Sequence, residues 1–378
     1  KLLEAGADGS AGWRGCRDRS LIDAAAVGGN VEVVSGLLEA GAQPDVQVVS
    51  CRSKRSALYT ATVLGHEDVA RRLVVAGADV NFEDPVHKRP VLCQATRVGY
   101  EQLVTDMLLS GANPSCRDNS EYGGSPLHIA ASRGLNRIVS TLLLRGADKD
   151  ALDCDGQTPL VWASYEGRLS VVKTLVAAGA DTSIRDTHGI SALHRAAEAG
   201  YGNVIEALAE HGVDVNVFDV NGVTALHAAA LHDHAGAVDT LIKAGADVEL
   251  KTNHGSTPLA CAAIYSSCKA MHALLQRGAQ VDVRDNEGCT PLHEGCRAHF
   301  QGLEAAVDAL LRWGADETSL DNFGRSPAKM LDLEHDHDQD EDSGPAPQDE
   351  IDRTRLLLSR APADRAWRRR GWLVMLRS

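Results

Sequence analysis

The stretch DGQTPLVWASYEGRLSVVKTLVAAGADTSIRD, from Asp155 to Asp186, decides how the rest of the chain is read. Thr158 offers a hydroxyl to cap a helix, and Pro159 follows at the first helical position, where a missing N–H costs nothing. Leu160 and Ala163 then fall on one face, three residues apart. Gly167 ends this helix, because glycine enters the left-handed region without a Cβ penalty. Val171, Val172, Leu175 and Val176 make the apolar stripe of a second helix, which stops at Gly179 within GAD. Asp186 to Gly189 reads as a tight turn. The unit is two short helices and a turn.

The unit recurs. Ser125, Thr158, Ser191, Thr224, Thr257 and Thr290 stand 33 residues apart. A fixed period of that length marks an array of small units, not the two or three globular domains that 378 residues would otherwise suggest. Neighbouring copies read SPLHIAASRGLNRIVSTLLLRGAD from Ser125 and TPLHEGCRAHFQGLEAAVDALLRWGAD from Thr290. These strings resemble the ankyrin repeat, and the resemblance extends over residues 1–331. It implies an all-α-dominated repeat solenoid of stacked helix–turn–helix units with β-hairpin loops. On this reading residues 1–333 hold about ten repeats, the first one truncated. The opening KLLEAGAD reads as the end of a second helix, so the chain is expected to be an internal piece of a longer protein.

Some copies depart from the pattern. Ser20, Ser56 and Pro90 open the degenerate units SLIDAAA, SALYTAT and PVLCQAT at intervals of 36, 34 and 35 residues, and the insertions belong in the loops. Asp233 and Ser266 stand where a helix-ending glycine is expected, and RAHFQGLEA adds three residues between two helices. Irregular turns are expected at these three places. Ala130, Ala131, Ala196 and Ala197 let helices approach closely. Imidazoles recur at the fourth signature position, as His128, His194, His227 and His293. Periodic recurrence argues against catalysis or metal binding. It favours a hydrogen bond from each ring to the turn of its own or the next repeat.

Composition narrows the function. Thirty-eight basic against 52 acidic side chains give a net charge of −14, which disfavours nucleic acid as a partner. No run of 18 apolar residues is present, so a membrane is disfavoured too. The nine cysteines are scattered and lack a CxxC pair, as befits reduced thiols inside a cell. The expected location is cytoplasmic, with the nucleus open. No phosphate loop, nucleophile elbow, kinase signature or HExxH helix is present, and no cofactor is expected.

The carboxyl-terminal part breaks the pattern. Residues 334–350, EHDHDQDEDSGPAPQDE, carry eight acids and no base, and are expected to form a disordered loop interrupting the last repeat. Asp338, Asp340 and Asp342 alternate like the first ligands of a calcium loop, but Ser343 stands where its glycine belongs, so metal binding is set aside, as it is for His335 and His337. Ile351, Thr354 and Leu358 restore an apolar stripe, and residues 351–378 read as a closing helix with an Arg/Trp-rich tail. Trp367 and Trp372 among its arginines leave three readings open: a cap on the array, a partner-docking peptide, or an interfacial anchor.

In ankyrin arrays, the resemblance implies, partners lie across the concave surface of hairpin tips and first helices. Carried onto this chain, that surface takes Tyr165, Glu166, Leu231, Ile264 and Tyr265 from the first helices. The loops add Arg185, His188, Phe218, Val220 and Arg284. Tyr165, Phe218 and Tyr265 are the expected anchors, since aromatics carry a large share of interface energy, whereas Trp162 is expected to pack. Asn81 and Asn216 resemble ankyrin asparagines that a 2-oxoglutarate hydroxylase modifies, although a loop asparagine bonding its own backbone explains them as well. The expected function is a non-enzymatic scaffold, acting as a monomer on a protein partner. The rivals are a substrate-recruiting adaptor of a ubiquitin ligase, a membrane-tethering array held by the basic-aromatic tail, and part of an enzyme whose catalytic domain lies elsewhere.

Overall fold

A computed structural model describes residues 20–45, 56–85, 88–118, 123–298, 301–333 and 346–375, with side chains in the last segment as far as Ala361. Residues 334–345, with the aspartate alternation and both histidines noted there, lie outside the described residues, as do Trp367 and Trp372 as side chains. The chain divides into two compact units, Lys1–Thr187 and His188–Ser378.

Helices come in pairs. In the first unit α1 (Leu21–Gly28) is followed by α2 (Val31–Glu39), α3 (Ala57–Leu64) by α4 (Glu67–Val75), and α5 (Val91–Val98) by α6 (Glu101–Leu109). Then come α7 (Pro126–Ser132) with α8 (Asn136–Leu144), and α9 (Pro159–Tyr165) with α10 (Leu169–Ala177). First helices stack on first helices from α1 through α9, and second on second from α2 through α10.

The second unit repeats the scheme. It holds α11 (Ala192–Glu198) with α12 (Gly202–Glu210), α13 (Ala225–Leu231) with α14 (Ala235–Lys243), and α15 (Pro258–Ile264) with α16 (Cys268–Gln276). It ends with α17 (Pro291–Ala298), α18 (Leu303–Arg312), the short α19 (Pro327–Met330) and the long α20 (Gln348–Met375). The helix thus starts three residues before Ile351. It packs on α18, burying Thr354 and Leu358, while Arg353 reaches Glu304 at 2.8 Å.

Local chemistry explains the elements. The Thr158 hydroxyl accepts the N–H of Val161, and Ser20, Ser56, Thr224 and Thr257 do the same for their own helices. Helices of two turns are marginal alone, so their stability comes from packing. The alanine pairs Ala130–Ala131, Ala196–Ala197, Ala229–Ala230 and Ala262–Ala263 are all fully buried, which lets neighbouring first helices touch. Leu127, Leu160, Leu193, Leu226 and Leu259 fill the space between the two helix layers.

Two expectations change here. The described loops contain no strand, only the isolated bridges Glu83↔Pro90 and Phe218↔Thr224. An aspartate takes the place of a ladder. The Asp219 carboxylate accepts the N–H groups of Asn221 and Val223, both at 2.8 Å, and one backbone bond from Asp219 N–H to the Val223 carbonyl closes the turn. Asp153, Asp285 and Asp321 build their loops in the same way. The turns at Asp233 and Ser266 are not irregular either. Both residues adopt the left-handed conformation of the missing glycine, at φ 57° and 53°, and Asp233 gains an acceptor role toward the Ala270 N–H at 2.9 Å.

Candidate protein-interaction surface

The recurrent histidines are staples between repeats. His227 Nδ1 accepts the backbone N–H of Thr224 at 3.2 Å, so it carries no proton and Nε2 does. That Nε2–H donates to the Ser256 carbonyl of the next repeat at 3.1 Å. His128, His194 and His293 repeat both bonds, with the carbonyls of Gln157, Val223 and Arg325 as acceptors. Burial holds His227 down at about 4, and lowers His128 and His293 as well. Each hydroxyl–imidazole pair, such as Ser191 with His194 at 2.8 Å, has the spacing of a nucleophile and base. Its chemistry is nonetheless structural: both residues are buried, and the far nitrogen is bonded to the next repeat.

The loops between the pairs are joined to one another. In the second unit the N–H of Val220 donates to the His188 carbonyl, Asn253 to Asn221, Asn286 to His254, and Asn322 to Glu287, at 2.9 to 3.1 Å. The side-chain amides of Asn253, Asn286 and Asn322 add bonds to Val220, Asn253 and Asn286 carbonyls. Gly222 shows how close this stacking is. Its φ is +77°, and a Cβ there would stand 2.8 Å from the Asn253 nitrogen. Asn81 and Asn216 serve a second set of ties. Each accepts from and donates to the following repeat, through Asn113 and Gly111 or Asp247 and Gly245, instead of bonding its own backbone.

The residues chosen from sequence are divided between the two units. In the first unit Tyr165 and Glu166 end α9 and are exposed, and Arg185 is exposed on the following loop. In the second unit His188, Phe218, Val220 and Arg284 are exposed on the loops, Phe218 at 42% and Val220 at 60%. Leu231, Ile264 and Tyr265, at the ends of α13 and α15, are half-buried. Glu166 lies 3.7 Å from Arg168, and an Arg284 Nη1 donates to the Gly288 carbonyl at 3.1 Å. Trp162 packs half-buried, its Nε1–H on Asp153 at 2.8 Å and its ring edge against His128. Within each unit these residues lie on loops or at first-helix ends.

A model of the family described as ankyrin repeats matches residues 92–186, 175–252 and 238–321, and a single-repeat model matches residues 53–85. The chain belongs to the ankyrin-repeat family. Its role is therefore protein–protein interaction, the general task of such repeats. Among curated proteins, the chain is similar to "E3 ubiquitin-protein ligase XB3" of Oryza sativa subsp. japonica, 38% identical over 143 residues. It is also similar to "Putative E3 ubiquitin-protein ligase XBAT35" of Arabidopsis thaliana, 31% identical over 108 residues. These matches cover 35% and 29% of this chain, and 31% and 23% of the two relatives' own lengths.

The ankyrin loops also expose residues that sequence reading passed over. Phe323 is 69% exposed at the last loop tip, with the Arg325 guanidinium 4.6 Å from its ring centroid, and Leu320 is 52% exposed beside it. The signal was available, since Phe323 occupies the same loop position as His188 and Asn221, two residues after the loop's first aspartate and one before its glycine. A cluster of Asp285, Cys289 and Glu294 brings three donor atoms within 4.8 Å of one another. Its groups are engaged: Asp285 holds the loop N–H groups, and Arg297 sits 3.4 Å from Glu294. Burial pushes the Cys289 thiol up to about 12, so it stays protonated. Among the described residues no helix is long and apolar enough to cross a membrane.

Proposed function

We propose that this ankyrin array is a non-enzymatic scaffold that binds one protein partner through its loop tips and first-helix ends. The observation that carries the reading is the combination of exposure and rigidity at Phe218 and Val220. Both stand in solvent on a loop whose backbone is tied to its neighbours on either side. Large side chains held that way lose little entropy on binding, which is what an interface anchor needs. Immobilised wild-type chain and the Tyr165→Ala/Phe218→Ala/Tyr265→Ala variant, matched for thermal unfolding, would be compared for captured proteins. A specific partner held by the wild type and lost by the variant supports the reading. Equal capture by both contradicts it.

A second reading is favoured by the two relatives, both named as ubiquitin-protein ligases. In it the array recruits substrates to a ubiquitin ligase, with ligase contacts supplied outside the repeats. The captured partner would then gain ubiquitin when the natural full-length protein is supplied with ubiquitin, E1 and E2. No transfer to a partner that binds normally would leave the scaffold and remove the adaptor.

A further inference from the structure

Cys93 and Cys116 are 23 residues apart in the chain, and their Sγ atoms lie 3.8 Å from each other. Cys93 is fully buried on α5, and Cys116 is half-buried on the loop after α6. Cys93 occupies the fourth signature position, where four other repeats carry the stapling imidazole and others have Tyr59, Val161 or Ala260. The register of its partner matches too. His128 meets the backbone of Ala151, and His227 that of Leu250, each also 23 residues further on. The repeat that begins at Pro90 therefore has no imidazole, and no side chain caps α5. A thiol pair stands where the permanent staple is missing.

We propose that Cys93 and Cys116 form a reversible disulfide that staples this repeat under oxidising conditions, with a hydroperoxide as oxidant. In the first step the Cys116 thiolate, the more accessible sulfur, attacks a peroxide oxygen. The O–O bond breaks, one water leaves after protonation, and Cys116 becomes a sulfenic acid. In the second, Cys93 sulfur attacks Cys116 sulfur. The S–S bond forms, the S–O bond breaks, and hydroxide departs as water with the Cys93 proton. Two thiols lose two electrons and two protons, and hydrogen peroxide becomes two waters. A disulfide requires an S–S distance of about 2.05 Å, so the sulfurs close by under 2 Å, within reach of side-chain rotation and a small loop shift.

Charged groups surround the pair. Arg97 lies one helical turn after Cys93 on α5, and its buried Nε–H has no hydrogen-bond acceptor among the described residues. The hydrogen bond shared with Cys116, burial and the negative charge of Asp118 push the Cys93 thiol well up, and the Arg97 guanidinium opposes them only in part, so Cys93 is held as the thiol that delivers its proton in the second step. Asp118, two residues beyond Cys116, is bridged to both Arg89 and Arg97, which brings the cysteine loop back onto α5.

The test uses the whole chain, fully reduced and then exposed to a few equivalents of hydrogen peroxide. Intact mass should fall by about 2 Da, and peptide mapping should show one dominant link, Cys93 to Cys116. The oxidised chain should unfold roughly 5 °C higher than the reduced chain, and dithiothreitol should reverse the shift. Cys116→Ser, a conservative change at a partly exposed site, should abolish both effects while keeping the helical circular dichroism of the reduced wild type. Sulfinic acids at these cysteines without a link, or links confined to other cysteines, would overturn the proposal.

Discussion

His227 Nε2 stands 3.1 Å from the carbonyl oxygen of Ser256, a residue that belongs to the next repeat. One imidazole thus closes its own helix start through Nδ1 and reaches forward through Nε2. That double use makes it sensitive to protonation, because a protonated Nδ1 faces a backbone N–H that it no longer accepts.

The pH dependence follows in sign. The folded value of about 4 lies below the unfolded value of roughly 6.5, so the unfolded chain takes up the proton first as pH falls. The contribution is complete above pH ~6.5 and is lost progressively down to about pH 4, at a cost near 3 kcal/mol for His227. Urea midpoints of wild type and His227→Gln at pH 7.5 and 5 should differ strongly at the higher pH and converge at the lower one. A constant difference would show that the ring does not titrate as described.

Leu226 is fully buried between the helix layers. Leu226→Ala should destabilise by about 2–5 kcal/mol, measured by denaturant titration. A loss below about 1 kcal/mol would mean the layer is loosely packed.

Phe218 should behave differently. Phe218→Ala removes a ring that is 42% exposed, so its unfolding midpoint should stay within about 1 kcal/mol of wild type. Partner affinity, by calorimetry with the captured protein, should fall by roughly tenfold or more. A large stability loss would place the ring in the core instead of the interface.

Ser266 holds φ at 53° without being glycine. Ser266→Gly should raise stability by about 0.5–1 kcal/mol, since the left-handed strain disappears. Unchanged or lower thermal stability would show that the serine side chain compensates locally.

Much of the fold was legible because it rests on residues with one dominant local role. Thr158, Pro159 and Gly167 mark helix ends by chemistry that distant contacts do not alter, and the 33-residue period carries the rest. The imidazole's direction, forward to the next repeat, needed coordinates, because either turn lay within reach. The hairpin expectation rested on the family resemblance, whereas the residues themselves indicate only a tight turn, as at Asp186 to Gly189. What the sequence does not display is that the Asp219 carboxylate accepts the N–H groups of Asn221 and Val223 and so shapes the loop. The interaction surface was less legible. The family resemblance, carried onto this chain, pointed to Tyr165, Phe218 and Val220, which are exposed, and to Tyr265 and Leu231, which are half-buried. The Cys93–Cys116 pair keeps the 23-residue register of His128 and Ala151, but only coordinates put the two sulfurs 3.8 Å apart.

The central claim is that neighbouring repeats hold one another in place and so keep the loop tips rigid. Hydrogen exchange by mass spectrometry on wild type and Leu226→Ala tests it most directly. Faster exchange should extend beyond α13 and α14 into α11, α15 and the Asn253 loop. Acceleration confined to α13 and α14, with adjoining helices and loops as protected as in wild type, would contradict it.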